Sequence, residues 1–145
     1  MTEFITTVVV TVSSILLFGY WFRYTCLLML STRTARDYVN EVAVANDLGF
    51  LDVQSRLRAG SPEFDRLREA LDRDYAILSR ILKQSANSGM ERRMLGIDYR
   101  LMGAWYRVSS RFSVHAARHA LEEMSMIVAH FANTMGEQAA SAAAA

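Results

Sequence analysis

The chain of 145 residues has a single cysteine, a single proline and a single lysine, and each scarcity closes off a class of protein. Cys26 has no partner within the chain, which excludes a disulfide-stapled scaffold and suits a protein whose bulk stays in a reducing compartment. With only Pro62 to interrupt the backbone, long helices are free to form elsewhere. No stretch alternates apolar and polar residues as a half-buried strand must, and no segment repeats at a solenoid period. The glycines follow no triplet period, and 52% hydrophobic residues is too many for a disordered chain, so collagen and disorder are excluded as well.

Charge is the other thing missing, locally. Of 16 basic and 15 acidic side chains, all but Glu3 and Arg23 lie from Arg33 onward. The nineteen residues from Phe4 to Phe22 are uncharged and rich in Val, Ile, Leu, Phe and Thr. As a helix they measure about 28 Å, close to the hydrocarbon thickness of a bilayer, which predicts a transmembrane span. A cleaved secretory signal fits less well, because Glu3 stands where a basic n-region belongs and no small-x-small site follows.

Tyr20, Trp21, Arg23 and Tyr24 make an aromatic and basic cluster of the kind found at the headgroups. A second apolar run, Cys26-Leu27-Leu28-Met29-Leu30, follows it. Either the helix leaves the bilayer near Arg23 and extends along the interface, or it continues with Arg23 buried against a partner. The neighbouring aromatics favour a snorkelling arginine. Arg23, Arg33 and Arg36 follow the span and no basic residue precedes it, which places the N-terminus outside and the remainder in the cytoplasm. Thr7, Thr11 and Ser14 fall at i, i+4 and i+7. Such a stripe either packs against another membrane helix or returns its hydroxyls to its own backbone.

From Thr32 on the pattern is helical. Ala35, Tyr38, Val39, Val42 and Ala45 share one face, Gly49 breaks the run, and Phe50, Val53 and Leu57 resume it. Ala59-Gly60-Ser61-Pro62-Glu63 reads as a stop followed by a start, with Ser61 as cap and Pro62 in the first turn of the next helix. That helix runs to about Ala86 with Phe64, Leu67, Leu71, Tyr75, Leu78 and Leu82 on its apolar face, and Asn87-Ser88-Gly89 forms the turn.

A long helical segment, Met90 to about Met135, carries two apolar stripes. The first is Met90, Met94, Ile97, Leu101, Ala104/Trp105, Val108 and Phe112, and the second is Val114, Ala117, Leu121, Met124, Val128, Phe131 and Met135. On one straight helix they would diverge by more than about 90°, so the segment bends near Ser113 or changes packing partner there. The alanine-rich stretch beyond Gly136 has no apolar stripe and is expected to fray.

The domain reading is an anchor with interfacial extension at 1–31, a cytoplasmic helical domain at 32–136 and a flexible tail at 137–145. The net charge of +1 divides into an acidic half up to Tyr75 and a basic half after it. Asp65, Glu69 and Asp72 share a face of one helix, and Arg93, Arg100, Arg107, Arg111 and Arg118 form a stripe on the next. Two antiparallel helices with these flanks would pair as a hairpin. The same arginines could grip anionic lipid, whereas near-neutral net charge argues against nucleic acid.

His115, His119 and Glu122 occupy one helical face at ligand spacing, although no Glu follows the first His as a zincin requires and a seam between packing faces explains them as well. Val44-Ala45-Asn46-Asp47-Leu48-Gly49 looks like the first half of a DNA-binding helix-turn-helix, but Ser55 and Arg58 stand where the second helix should bury apolar residues. There is no phosphate-binding glycine loop, no Cys-x-x-Cys and no nucleophile elbow.

The sequence therefore predicts an all-α protein: one transmembrane helix, then a small cytoplasmic helical hairpin or bundle ending in a long helix. Nothing in it calls for a cofactor, a small-molecule substrate or catalysis. It reads as a single-pass structural or accessory subunit, or scaffold, whose partners are the bilayer and other membrane subunits or further copies of itself. A membrane-tethered metal binder using His115, His119 and Glu122, or an anionic-lipid binder using the arginine stripe, are the alternatives.

Overall fold

The computed structural model describes residues 1–31, 37–60, 62–85 and 89–145. Among them are six helices and no strand: α1 (Thr2–Ser31), α2 (Val39–Ala45), α3 (Phe50–Arg58), α4 (Phe64–Lys83), α5 (Gly89–Ser109) and α6 (Val114–Ala144). The chain divides into two units, Met1–Arg33 and Thr34–Ala145.

The first unit is α1, thirty residues long and apolar enough to span a membrane. It does not stop at Arg23. The helix runs unbroken through the second apolar run to Ser31, about 45 Å in all against a hydrocarbon core of about 30 Å. Its large side chains, among them Phe4, Val9, Leu16, Leu17 and Phe18, are exposed around the helix, with no one face set apart as polar.

The second unit is a bundle organised around α6, which packs against α2, α3, α4 and α5. One helix can serve four neighbours because its buried residues are spread widely around it and many are small. Ala117, Ala120 and Ala132 allow close approach, and Leu121, Met124, Ile127, Val128 and Phe131 fill the space between. The second apolar stripe of the sequence is thus core from Ala117 to Phe131, with Val114 at its start exposed and Met135 at its end half-buried.

The continuous helix from Met90 to Met135 resolves into two. α5 ends at Ser109, and Ser113 adopts an extended conformation (φ −152°, ψ 116°) as the N-cap of α6, its hydroxyl accepting from the Ala116 amide at 3.3 Å. Chain direction changes at the point where the two stripes could no longer share one helix. At the far end α6 continues as helix to Ala144, where the sequence predicts fraying. Alanine has the highest helix propensity of any residue, so the stretch needs no stripe to stay helical once α6 has been nucleated.

Smaller boundaries shift for local reasons. α2 spans only seven residues, and Ala43 is buried in place of Ala45. It ends where the Asn46 side chain donates to the Val42 carbonyl at 3.0 Å and Asp47 takes a left-handed φ of 50°. α4 starts at Phe64, so Pro62 precedes its first turn, and Glu63 at the cap position makes no side-chain capping bond. The predicted Ser61 cap lies outside the described residues, as do Arg33, Ala35, Arg36, Asn87 and Ser88. At the other end of α4, Arg92 from the start of α5 donates to the Leu82 carbonyl.

α4 and α5 run antiparallel, joined by side chains in a fixed register. The Tyr99 hydroxyl donates to Asp72 and the Tyr106 hydroxyl donates to Asp65, each at 2.7 Å. Between these pairs Gly103 lies beside Arg68, and one turn beyond the Asp72–Tyr99 pair Gly96 lies under Tyr75. Tyr75 stacks on Tyr99 with ring centroids 4.0 Å apart and reaches Phe131 of α6 at 5.7 Å. Burial, reinforced by the hydrogen bond to the Asp65 carboxylate, pushes Tyr106 up to about 12, and burial with the hydrogen bond to Asp72 likewise raises Tyr99.

Asp74, on the inner face of α4, is fully buried over the start of α3, near the Gly49 and Phe50 amides. Those amides and Arg73 favour its charged form, but loss of water outweighs them and holds the carboxyl above the ordinary carboxylate range.

Candidate functional site: the outer face of α5

α5 presents three faces. The core face consists of Leu95, Asp98, Tyr99, Met102, Gly103, Tyr106 and Ser109, all buried. This is not the apolar stripe that the sequence singles out. Ile97, Trp105 and Val108 of that stripe are 57%, 51% and 52% exposed, and Met90, Leu101 and Phe112 are exposed as well. The most hydrophobic line on α5 therefore faces outward. The inward line mixes Leu95 and Met102 with tyrosines, a glycine and short polar residues, because it must meet the acidic flank of α4 as well as the close surface of α6.

The third face is basic. Arg93, Arg100 and Arg107 lie along one edge of the apolar line, roughly 90° round the helix from its centre and on the side away from Trp105. All three are exposed, as is Arg111 in the turn that follows. Among the described residues, none of these four has an acidic partner within the 4.0 Å range of the ion pairs found elsewhere. The predicted pairing with the acidic face of α4 is thus replaced by something else. Asp65 and Asp72 are taken by tyrosine hydroxyls, and Arg68 of α4 itself lies 3.7 Å from Asp72 and 5.2 Å over the Tyr106 ring. With Arg68 already largely buried in the seam, a neutral hydroxyl meets each aspartate at lower desolvation cost than a further guanidinium would, and Arg93, Arg100 and Arg107 stay in water. Arg118 leaves the stripe altogether: on α6, beyond the Ser113 turn, its guanidinium lies beside Gly60.

The three candidate metal ligands are not brought together. His115 and Glu122 are exposed on α6, while His119 Nδ1 lies 3.3 Å from Glu123, the next carboxylate along, which faces inward. Among the described residues no three His, Cys, Asp or Glu side chains are grouped to hold a metal ion. The histidine that does make a close tertiary contact is His130, whose Nε2 is 2.8 Å from Glu91 and ties α6 to the first turn of α5.

In α1, Thr7 and Ser14 return their hydroxyls to the Glu3 and Val10 carbonyls, each at 2.8 Å, so two of the three members of that stripe satisfy their own helix. Tyr20, Trp21, Arg23 and Tyr24 lie within α1, and the two tyrosines and Trp21 are exposed. The α2–α3 pair has the shape of a helix, a turn and a helix, but Phe50, Val53 and Leu57 of α3 are buried in the core, and α3 packs on α4 and α6.

What sequence reasoning missed is the seam. The two aspartates are seven residues apart on α4, and the two tyrosines and the two glycines are each seven apart on α5. That common spacing is the signal that could have revealed it. Comparison with protein-family models, with curated proteins and with solved structures finds no match to this chain.

Proposed function

We propose that this chain is a single-pass, membrane-anchored helical protein that serves as a non-catalytic structural or accessory subunit, or scaffold, of a membrane assembly. In this reading α1 is the anchor, the N-terminus is outside, and the bundle of α2 to α6 lies on the cytoplasmic side where the basic residues after the span would hold it. The observation that carries the proposal is the uncovered apolar surface of the bundle. A monomeric soluble domain rarely leaves a contiguous line such as Ile97, Leu101, Trp105 and Val108 open to water, and such lines mark surfaces that associate with something.

The test has two parts. Membranes from cells expressing the chain are washed with alkaline carbonate, which strips peripheral proteins; the chain is expected to stay in the pellet. Solubilised in mild detergent and sized, it is then expected to migrate with other proteins or as an oligomer. Release by carbonate would remove the anchor. A stable, isolated monomer in detergent would remove the subunit role.

A further inference from the structure

We infer that the outer face of α5 is a membrane-docking surface that lies on a bilayer containing anionic lipid. The inference rests on the anchored reading above and assigns an occupant to the face which that reading leaves open. Two properties of the face must be met together. Ile97, Leu101, Trp105 and Val108 form an exposed apolar line along most of the helix, and Phe112 extends it into the turn. Arg93, Arg100 and Arg107 run beside it with no acidic partner among the described residues.

Charge complementarity selects among the occupants. Of the two carboxylates of α5, Asp98 is buried on the core side, and Glu91, at the helix's first turn and on the edge away from the arginines, is engaged by His130 while partly exposed. The exposed surface of the helix is thus apolar along its centre and positive along one edge from Arg93 to Arg107, and its one partly exposed carboxylate, Glu91, sits in the first turn beside His130. A second copy of the chain docking through the same face would bring like charges together, which costs rather than stabilises. A bilayer with anionic headgroups answers both properties at once, taking the apolar line into the acyl boundary and the guanidiniums at the phosphates. Trp105 at the margin of the apolar line is the residue type that prefers the headgroup level. Contacts of this kind are individually weak, but an anchor in the same chain makes the docking intramolecular, so modest affinity suffices.

The chain has two tryptophans, Trp21 in α1 and Trp105 in α5, and this provides a direct test. The full chain and its Trp105→Phe variant are reconstituted into phosphatidylcholine vesicles and into vesicles that also contain phosphatidylglycerol. Each set is prepared with and without acyl-brominated lipid, and the difference between the two chains isolates Trp105.

The expected result is that Trp105 emission shifts to the blue and is mostly lost to brominated lipid in the anionic vesicles. It should also be shielded there from aqueous iodide. Replacing Arg93, Arg100 and Arg107 together by Gln is expected to abolish the difference between anionic and neutral vesicles, and added salt to weaken it. If Trp105 stays open to iodide in both vesicle types, the inference is overturned. If it is shielded from iodide but untouched by brominated lipid, a protein covers the face, and the inference is overturned equally. Trp21, read alone in the Trp105→Phe chain, reports on the anchor: should brominated lipid leave it unquenched, it is the anchored reading that fails.

Discussion

α5 and α6 look alike in sequence and behave oppositely in the fold. Each has an apolar stripe at helical spacing, yet that of α6 is buried from Ala117 to Phe131 and that of α5, apart from the half-buried Met94, is exposed from Met90 to Val108. The difference lies in what each helix is adjacent to. α6 has neighbours on several sides, so nearly every large apolar residue on it finds cover. α5 packs inward with a line chosen for fit, in which glycines admit Tyr75 and Arg68 and tyrosines satisfy aspartates, while its greasier line is left for another surface. Hydrophobic periodicity reports that a helix has an apolar side. It does not report which side the rest of the chain will use.

The sharpest way to break this contrast is to cut the same side chain from both helices. Leu121→Ala in the core face of α6 is expected to cost about 2–5 kcal/mol, because a fully buried leucine leaves a cavity. Leu101→Ala on the outer face of α5 is expected to change stability by no more than about 0.5 kcal/mol. Thermal unfolding of the full chain in mild detergent, followed by circular dichroism, measures both. Equal losses would mean that the two faces are not different in kind.

A second comparison sets glycine against glycine. A Cβ at Gly136 would stand 2.2 Å from the Tyr38 Cβ, an atom fixed to the backbone, whereas one at Gly96 would meet only the Tyr75 hydroxyl at 2.9 Å, the far end of a movable side chain. Gly136→Ala is therefore expected to lower stability by about 1–3 kcal/mol, and Gly96→Ala by less. Should the order reverse, α6 would not be held against the start of α2 as described.

The seam provides a gentler probe. Tyr99→Phe and Tyr106→Phe each leave one aspartate without its hydroxyl donor, and a loss of about 1 kcal/mol apiece is expected from the same melts. Each change keeps the ring, so a larger loss would place the seam's strength elsewhere than in the hydrogen bond.

Asp74 should produce the smallest effect, visible as a dependence on pH. Its carboxyl binds a proton more readily in the fold than in the unfolded chain, so between the ordinary carboxylate value and its raised native value the folded state holds more protons. Stability from this group is then full below that window and declines as pH rises through it. Asp74→Asn should match the parent chain in acid and melt above it at neutral pH. A gap that widens in acid would reverse the assignment.

Much of the architecture could be read directly from residue spacing. The uncharged run gives α1, the Ser113 bend separates α5 from α6, and the 3-4 spacing from Ala117 to Phe131 gives the core of α6. The site was harder to read, for a physical reason. Arg93, Arg100 and Arg107 were visible as a line, but opposite charge on the neighbouring helix suggested a pairing that the fold declines. Arg68 of α4 already supplies a guanidinium to the seam, and burying a second one costs more than burying a tyrosine that donates to the same aspartate. Asp74 is not marked in the sequence, because nothing in its neighbourhood singles out a carboxylate that faces the start of α3, the preceding helix.

The α4–α5 seam has a mechanical consequence. Its four pairings, Asp65 with Tyr106, Arg68 with Gly103, Asp72 with Tyr99 and Tyr75 with Gly96, descend one helix as they climb the other. Sliding α5 by a single turn would strand both aspartates and drive Tyr75 and Arg68 out of their glycine notches and into side chains. The two helices are keyed against a slip of one turn, and only a slide of seven residues, about two turns, would set Asp72 against Tyr106 and Tyr75 against Gly103. Short of that slide, whatever engages its outer face must move the hairpin as one lever or leave it where it stands.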